Sequence, residues 1–264
     1  MNSPVLAPST QWKALGASVT GTSHHKNKLP CQDALEWRIT EKNILIVAVA
    51  DGAGSAKFAE IGSALAAKTA IEILAERFRA TALSEDEAIS ALKTTLSVAR
   101  AKLAAESEQR NIPLRELATT LLLAAIGAEW IAAAQIGDGA VLGGESPEKL
   151  RAFTRPVASE YLNETQFLTS DAALEQAQIV FERSTVRNVA VFSDGLQMLC
   201  LKMTDSTPHP AFFKPLFGFL KSATDLKAAQ RDLSDFLASP RITNRTDDDL
   251  TLFLATAADA DGGR

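Results

Sequence analysis

Cysteine is scarce in this chain, which has two cysteines among 264 residues. Cys31 and Cys200 lie far apart, neither belongs to a CxxC pair, and the sequence contains no HExxH motif. Zinc sites are usually built from cysteine clusters or paired histidines, so the sequence lacks a zinc-binding pattern. Isolated cysteines of this kind are typical of reduced thiols, and we therefore expect a cytoplasmic protein.

Positive charge, aromatic residues and long apolar runs are also limited. The net charge is -5 with both signs interspersed, and aromatic residues make up 6% of the chain. A nucleic-acid surface would need a basic stripe or stacking aromatics, so we expect no nucleic-acid partner. No apolar run is long enough to span a membrane and no signal pattern opens the chain, so we expect a soluble protein without a membrane partner.

Several catalytic motifs are missing as well. The chain has no GxSxG elbow, no phosphate-binding P-loop and no GxGxxG pattern opening a helix. Asp51, which ends an apolar run, is not followed by the pattern of an aspartyl nucleophile. These absences leave hydrolysis assisted by a metal ion as the reaction type to consider.

The stretch around Asp51 is the most informative part of the sequence. Residues 44–50 form a continuous apolar run rich in β-branched side chains, which predicts a strand buried on both faces. The run stops at Asp51 and is followed by Gly52 and Gly54. A carboxylate at a strand end, with glycine allowing close approach of the backbone, is a common way to bind a hard cation. The alternative is a plain strand-to-helix turn in which Asp51 caps a helix.

Four other aspartates stand beside predicted strands. They are Asp33 before strand 34–39, Asp138 after 130–136, Asp194 after 186–192 and Asp248 before 250–255. Carboxylates brought together repel one another unless protons or a cation relieve the repulsion. Hard oxygen ligands suit Mg²⁺ or Mn²⁺, and a set of this size is enough for two ions. A phosphate ester is the best-fitting substrate, because two ions can neutralise both the attacking and the leaving oxygen. Caps and turns remain the alternative, particularly at Gly137-Asp138-Gly139.

The predicted elements form runs of strands flanked by blocks of helices. Strands are predicted at 12–20, 34–39, 44–50, 117–126, 130–136, 186–192 and 250–255. Helices are predicted at 57–80, 84–111, 209–221 and 225–238. The second of these helices begins with the capping-box pattern Ser84-Glu85-Asp86-Glu87. Residues 21–33 are predicted to be a polar, cationic loop, and 143–178 a long, partly ordered loop or flap. Residues 1–10 are predicted to be a flexible arm, 11–256 a single domain and 257–264 a disordered tail. The pattern favours one α+β domain with sheets inside and helices outside.

Six short segments, in this order, resemble motifs of the type 2C (Mg/Mn-dependent) serine/threonine protein phosphatases, especially the compact bacterial branch. They are Gln32-Asp33-Ala34, Val49-Ala50-Asp51-Gly52-Ala53-Gly54, Ala118-Thr119-Thr120-Leu121, Ile136-Gly137-Asp138-Gly139, Phe192-Ser193-Asp194-Gly195 and Asp248-Asp249-Leu250-Thr251. With the first loop, they extend over positions 21–255. The resemblance implies a four-layer αββα sandwich, in which two central, mostly antiparallel sheets are flanked by helices and the metals lie in a cleft at one end.

The resemblance also implies a set of metal ligands. Asp51 matches the carboxylate that bridges two metals, and the Gly52 carbonyl matches a ligand of one of them. Asp194 and Asp248 match ligands of the other metal. Asp138 matches a ligand of a third, weaker site that it shares with Asp194. The implied cofactors are therefore two Mn²⁺ or Mg²⁺ ions, with room for a third.

The implied mechanism is direct attack of a metal-bridging hydroxide on phosphorus, without a phosphoenzyme. Asp33 matches the acid that holds metal-bound water. The family's usual phosphate-binding arginine is missing from the first loop. His24 follows the loop glycine at the matching distance, and His25, Lys26 and Lys28 are alternatives. A neutral histidine would bind phosphate less well than arginine, which offers a charged, bidentate fork.

Three further positions depart from the family pattern. The neutral Gln32 stands where Glu is common, which would weaken one metal site or leave a water in place of direct ligation. Gly139 stands where Ser is usual, and Asp249 where Asn is usual. None of these changes removes a core metal ligand, so we expect an active enzyme.

The expected function is metal-dependent hydrolysis of phosphoserine and phosphothreonine in proteins that a serine/threonine kinase has phosphorylated, carried out by a monomer. One alternative is a catalytically weak or inactive module that binds a phosphoprotein or a kinase, motivated by Gln32 and the missing arginine. Another is hydrolysis of a different phosphate ester by the same metals.

Overall fold

The computed structural model describes residues 11–79, 84–156 and 166–258. The strands are β1 Gln11–Val19, β2 Asp33–Ile39, β3 Leu45–Asp51, β4 Leu121–Ile126, β5 Ile131–Ile136, β6 Ala140–Gly144, β7 Arg151–Thr154, β8 Gln178–Glu182, β9 Asn188–Phe192, β10 Leu201–Lys202, β11 Thr207–Pro208 and β12 Leu250–Ala258. The α-helices are α1 Thr22–Asn27, α2 Ala59–Arg77, α3 Glu85–Arg110, α4 Gln197–Cys200, α5 Pro210–Ser222, α6 Leu226–Leu237 and α7 Pro240–Thr243. Short 3-10 helices cover Leu114–Leu117, Pro147–Lys149 and Asp194–Leu196.

Two five-stranded antiparallel sheets form the centre of the molecule. The first sheet has the strand order β1-β12-β9-β6-β7, and the second has the order β2-β3-β4-β5-β8. A separate two-stranded ribbon pairs β10 with β11. Both large sheets mix strands from distant parts of the sequence, so they bring the ends of remote segments together.

The space between the two sheets is filled by apolar side chains from both. Val47 and Leu122 of the second sheet belong to the same buried cluster as Val191 and Phe253 of the first. Successive side chains of a strand point to opposite faces, so the intervening residues face outward. A continuous apolar run such as β3 therefore fits a strand that is covered on both sides.

Helices cover the outer face of each sheet. Ile46 of β3 packs in one buried cluster with Ala66 of α2 and Leu92 of α3. On the other side of the molecule, α5 and α6 bury side chains against the outer face of the first sheet. The order is helices, sheet, sheet, helices, and the predicted α+β, four-layer αββα sandwich is confirmed. Within the described part of the chain, the helices are too short or too polar to span a bilayer.

The start of α3 shows how a local pattern fixes an element boundary. The Ser84 hydroxyl accepts a hydrogen bond from the Glu87 backbone N–H at 3.2 Å, and the Ser84 backbone N–H donates to the Glu87 carboxylate at 2.8 Å. This reciprocal pair is the predicted capping box. The helix then extends to Arg110 and ends at Asn111, which adopts the left-handed conformation.

The strand registers collect acidic residues at one end of the sandwich. Asp33 at the start of β2 stands directly opposite Asp51 at the end of β3. In the first sheet, β9 is antiparallel to β12, so Asp194 after β9 and Asp248 before β12 lie at the same edge. The fold thus places strand ends from both sheets around one cleft.

Parts of the segment 143–178, predicted to be a long, partly ordered loop or flap, have regular structure. This segment contains the end of β6 at Gly144, the strand β7 and the first residue of β8. Leu168 and Ala173 are buried in the core between the second sheet and its helices. Residues 157–165, the middle of the predicted flap, lie outside the described residues.

Several predicted boundaries also differ from the structure. The predicted loop 21–33 contains the short helix α1. Leu117, predicted to begin a strand, ends a 3-10 helix, and β4 begins only at Leu121. Ala257 and Ala258 extend β12 into the predicted tail, because they pair with the start of β1. Residues 1–10 and 259–264 lie outside the described residues, so the predicted arm and the rest of the predicted tail are not tested.

Gly139 is required by the turn that presents Asp138. Its φ angle is 107°, and an added Cβ would lie 2.5 Å from the Phe192 carbonyl oxygen. We predict that Gly139→Ala lowers the free energy of unfolding by about 1–3 kcal/mol, the usual cost of a sparsely populated backbone conformation. Chemical denaturation would measure this change.

The matched control is Gly218→Ala, in the middle of α5, where an added Cβ meets no atom within 4 Å. This substitution is expected to stabilise the protein by about 0.5–1 kcal/mol, because alanine is the better helix former. Equal effects of the two substitutions would contradict the account of the turn.

Candidate metal centre

Three half-buried carboxylates converge in the cleft at the strand ends. Asp51, Asp138 and Asp194 each offer an oxygen atom, and these atoms lie within 4.8 Å of one another. They come from the end of β3, the turn between β5 and β6, and the 3-10 helix that follows β9. Both sheets therefore contribute to one acidic group, as the positions of these residues at strand ends predicted.

Backbone and hydroxyl hydrogen bonds hold Asp51 in place. Its N–H donates to the Thr120 hydroxyl at 2.9 Å, and its carbonyl oxygen accepts from the Thr119 hydroxyl at 3.0 Å and the Thr120 N–H at 2.8 Å. Gly52 then passes so close to the start of α2 that an added Cβ would lie 2.8 Å from the Ala59 carbonyl oxygen. The carboxylate thus sits on a backbone with little freedom to move.

Asp33 connects the two sheets at the cleft. One of its carboxylate oxygens accepts a hydrogen bond from the buried Ser193 hydroxyl at 2.7 Å, while the other accepts none from the described residues. Burial raises the pKa of Asp33 to about 7; hydrogen bonds from Ser193 and Thr251 oppose this rise, and the charges of Asp249 and Asp194 add to it. The Asp33 carboxylate is therefore poorly stabilised as an anion when no cation is near.

The pKa values of two of the converging carboxylates, Asp194 and Asp51, are raised as well. Burial raises the pKa of Asp194 to about 6, and the charges of Asp138 and Asp248 add to this effect. Burial also raises the pKa of Asp51 well above its usual value, with contributions from Asp33, Asp194 and Asp248. Like charges on directly opposite residues of antiparallel strands are destabilising, and Asp33 and Asp51 are such a pair.

Asp248 lies near this group but is more open to solvent than its members. Its side chain is exposed, and it is not among the three carboxylates with oxygens within 4.8 Å of one another. Its charge nevertheless contributes to the raised pKa values of both Asp51 and Asp194. Burial raises the pKa of Asp248 itself, while hydrogen bonding to the Asp249 backbone and the charge of His24 oppose the rise.

The basic residues of the first loop, residues 21–33, differ in how far they are buried. His24 is 9% exposed, and its Nδ1 atom lies 2.9 Å from a carboxylate oxygen of Asp249. His25, Lys26 and Lys28 are exposed. His24 is thus a buried residue with one ring nitrogen already in contact with an acid, which the sequence did not indicate.

Gln32 is buried at the edge of the same cleft. Its backbone N–H donates to an Asp249 carboxylate oxygen at 2.5 Å, and its carbonyl oxygen accepts from the Gly52 N–H at 3.1 Å. Its side-chain Oε1 accepts no hydrogen bond from the described residues. A buried amide oxygen in this state is available to a water molecule or a cation.

The comparison with known families gives a direct assignment. Residues 20–238 match the sequence profile of the family described as protein phosphatase 2C. This match covers most of the chain, including the segments that hold the converging carboxylates. The chain belongs to the protein phosphatase 2C family.

A curated relative supports this membership over almost the full length of both proteins. The chain is 35% identical over 254 residues to serine/threonine-protein phosphatase 3 of Escherichia coli K12, covering 94% of this chain and 99% of the relative.

Solved structures of bacterial phosphatases share the fold. Serine/threonine phosphatase Stp1 from Staphylococcus aureus superposes with a TM-score of 0.63 at 15% identity, covering 97% of this chain and 99% of that one. The catalytic domain of the serine/threonine phosphatase PstP, solved with two manganese ions, gives a TM-score of 0.62 at 15% identity, covering 95% and 100%. At these identities the likeness concerns the fold.

Membership in the protein phosphatase 2C family confirms the family resemblance of the sequence motifs. The family consists of metal-dependent phosphatases, so the chain is a phosphoric monoester hydrolase, and a non-catalytic binding module is not favoured. The converging acids of this phosphatase supply oxygen ligands of the kind that such chemistry needs.

Four residues of the phosphatase site gained a role only from the structure. Thr119 and Thr120, which belong to one of the six motif segments, hold the backbone of Asp51. Ser193 binds Asp33 across the sheets, and Asp249 binds the first loop. The only sequence signal for the last two was their position next to Asp194 and Asp248.

The electrostatics of the phosphatase cleft predict how pH affects binding of Mn²⁺. In the metal-free protein, the pKa values of Asp33 and Asp194, about 7 and 6, exceed the value of about 4 in an unfolded chain. The folded state therefore binds protons more tightly, and these groups contribute less stability as the pH rises through this window. Mn²⁺ competes with those protons, so it should raise the melting temperature more at about pH 8 than at about pH 5.5.

Thermal unfolding with and without Mn²⁺ at both pH values measures this difference. Asp51→Asn removes one of the acids and should reduce the shift at the higher pH. An equal shift at both pH values in the unmodified protein would contradict the electrostatic description.

The bond between Ser193 and Asp33 predicts a second measurable effect. Ser193→Ala removes a donor that favours the carboxylate form, so the pKa of Asp33 in the metal-free protein should rise further above about 7. Carbon-detected NMR titration of the carboxyl group measures this pKa. Ser234→Ala is the matched control, because the Ser234 hydroxyl donates to the Gln230 carbonyl oxygen within α6 and has no part in the cleft. An unchanged or lowered pKa in Ser193→Ala would show that the hydrogen bond does not act as described.

Proposed function

We propose that this phosphatase hydrolyses phosphoserine and phosphothreonine in proteins with the help of two bound Mn²⁺ or Mg²⁺ ions. The observation that carries the proposal is the convergence of the Asp51, Asp138 and Asp194 carboxylates within 4.8 Å. The E. coli relative, whose name describes a serine/threonine-protein phosphatase, supports the substrate class.

The residues of the cleft fit a hard divalent cation. Asp33 and Asp194 each have a buried carboxylate oxygen that accepts no hydrogen bond from the described residues. The pKa values of both acids are raised, so the acids would gain from a cation that replaces protons. Carboxylates and carbonyls are the ligands that Mg²⁺ and Mn²⁺ prefer, and the group contains no thiolate or imidazole.

The proposed ligand set follows the predicted roles. Asp51 would be shared by both ions, the Gly52 carbonyl would serve one, and Asp194 and Asp248 would serve the other. Asp138, close to Asp51 and Asp194, would complete a third site. When bound, the ions would lower the pKa of water in the cleft and offset the negative charge of the phosphate.

Asp33 is the residue proposed to hold the attacking water. Ser193 occupies one of its carboxylate oxygens and fixes the side chain, while the other accepts no hydrogen bond from the described residues. That oxygen can accept a hydrogen bond from a water molecule and orient its lone pair toward phosphorus. Attack of this water on phosphorus would form the new P–O bond, pass one water proton to Asp33 and break the bond to the serine or threonine oxygen. That oxygen would take up a proton from solvent and leave as the alcohol, so protons balance once Asp33 returns its proton to solvent.

Basic residues of the first loop are proposed to bind the substrate phosphate. His24 keeps its predicted role as a candidate, but with Nδ1 in contact with Asp249 only the other ring nitrogen is left for phosphate. His25 and Lys26 on the same short helix and Lys28 just after it are exposed and remain alternatives. Gln32, as a neutral residue, is expected to make one metal site weaker than a glutamate would.

The proposal also covers the origin of the substrate, the cellular compartment, the oligomeric state and the extent of the domain. The substrate is expected to be a protein phosphorylated by a serine/threonine kinase, and the enzyme is expected to act in the cytoplasm as a monomer. The two cysteines, Cys31 and Cys200, form no disulfide, which supports a reducing compartment. The match over residues 20–238 supports one catalytic domain over 11–256.

A direct assay tests the proposed reaction. Phosphate release from p-nitrophenyl phosphate and from a phosphothreonine peptide is measured with Mn²⁺, with Mg²⁺ and with a chelator. Turnover is expected only with a divalent ion. Asp51→Asn should reduce turnover by at least about 100-fold, because loss of a proposed ligand should cost no less than loss of a residue that supports a ligand, for which about 100-fold is the upper end of the range.

The control is Asp235→Asn, which removes the same charge from the exposed face of α6 and should leave turnover unchanged. Turnover in the presence of a chelator, or a fully active Asp51→Asn protein, would refute the proposed function. Faster turnover of small phosphate esters than of every phosphopeptide would instead favour another ester as the substrate.

A further inference from the structure

Asp249 is a buried acid that the proposed reaction does not use directly. It is 2% exposed, although it stands next to the exposed Asp248. One of its carboxylate oxygens accepts from the Gly21 backbone N–H at 2.6 Å. The other accepts from the Gln32 backbone N–H at 2.5 Å and lies 2.9 Å from Nδ1 of His24. A single carboxylate thus contacts three residues of one segment.

The two backbone bonds close this segment into a loop. Gly21 precedes α1 and Gln32 precedes β2, so both ends of residues 21–32 are tied to the same side chain. A third bond runs from the Ser23 N–H to the Asp247 carbonyl oxygen at 2.9 Å. Gly21 packs so tightly here that an added Cβ would lie 2.4 Å from the Asp248 carbonyl oxygen. Charge-assisted bonds of this kind are stronger than neutral ones and offset the cost of burying the acid.

This loop carries the basic residues and adjoins two acids of the cleft. His25, Lys26 and Lys28 are exposed on or just after α1. Gln32 is followed directly by Asp33, and Asp249 is preceded directly by Asp248. The carboxylate of Asp249 therefore holds the loop that carries the basic residues next to Asp33 and Asp248.

We propose that Asp249 is a positioning residue that fixes the loop 21–32 against the start of β12, so that its basic side chains hold the substrate phosphate next to the metal site. This inference rests on the proposed function, because it concerns how that site recognises phosphate. Asp249 does not contact the substrate itself but acts through the loop that it holds.

The chemistry of the contacts explains what an acid adds at this position of the chain, where Asn is usual in the family. A carboxylate can accept hydrogen bonds with both oxygens, whereas an asparagine side chain has one oxygen and one NH₂ group. In either orientation of the amide, the NH₂ group would face a backbone N–H, that of Gly21 or that of Gln32. Asp249→Asn keeps the shape of the side chain but must lose at least one end of the loop closure.

The test compares Asp249→Asn with Asp247→Asn in the full-length protein. The control removes the same charge two residues away, from an exposed side chain on the other side of Asp248. Three kinds of experiment are carried out on each protein. Calorimetry gives the affinity for Mn²⁺, steady-state kinetics give the inhibition constant of inorganic phosphate and KM and kcat for a phosphothreonine peptide, and NMR gives the exchange rates of the loop amides.

Asp249→Asn is expected to raise both the phosphate inhibition constant and KM by about tenfold. This factor is the lower end of the range for residues that orient the groups of a site without contacting its ligand. The affinity for Mn²⁺ should match that of Asp247→Asn, and the amides of residues 21–32 should exchange faster. The proposal is overturned if phosphate inhibition, KM and amide exchange equal those of the control. It is also overturned if the affinity for Mn²⁺ falls by the same factor as that for phosphate, because Asp249 would then act on the metal site.

The unmodified protein provides a test that does not depend on folding of the variant. The amides of Gly21 and Gln32 should exchange slowly in spite of their position in a loop, because each is bonded to a buried carboxylate. Fast exchange of both amides would refute the proposal. Absence of turnover in the unmodified enzyme would refute the proposed function alone, since phosphate binding and amide exchange could still be measured.

Discussion

Burial of several carboxylates beside one another is the constraint on which the rest of this site depends. Asp51, Asp138 and Asp194 converge within 4.8 Å, and Asp33 stands directly opposite Asp51 in the second sheet. Such a group is costly without a counter-charge: burial raises the pKa values of Asp33, Asp51 and Asp194, and the charges of the neighbouring acids add to the rise. The packed sandwich keeps the acids together despite this cost, which leaves them ready for a divalent ion.

The fold meets this constraint with hydrogen bonds that hold Asp51, Asp33 and the loop before Asp33 in place. Thr119 and Thr120 fix the backbone of Asp51, Ser193 joins Asp33 to the first sheet, and Asp249 binds the loop before Asp33. Apolar side chains packed between the sheets hold the strand ends from which these groups project. Precise placement of ligands matters for a metal site, because the residues that orient the ligands influence metal affinity and activity.

The positions of the acids could be predicted from the sequence because each follows or precedes an apolar run that stops abruptly. The supports could not, because they join residues far apart in the chain, such as Ser193 and Asp33. The contact of the buried His24 with Asp249 also joins residues that are far apart in the chain. The strand β7 was missed because it is only four residues long and carries no regular alternation, and α1 because its six residues have no apolar face.

A crystal structure of the protein soaked in Mn²⁺, with anomalous scattering measured at the manganese edge, tests the central claim most directly. The account predicts at least two manganese peaks in the cleft, with carboxylate oxygens of Asp51 and Asp194 among their ligands. No peak in the cleft at saturating Mn²⁺, or peaks bound only by other residues, would contradict it.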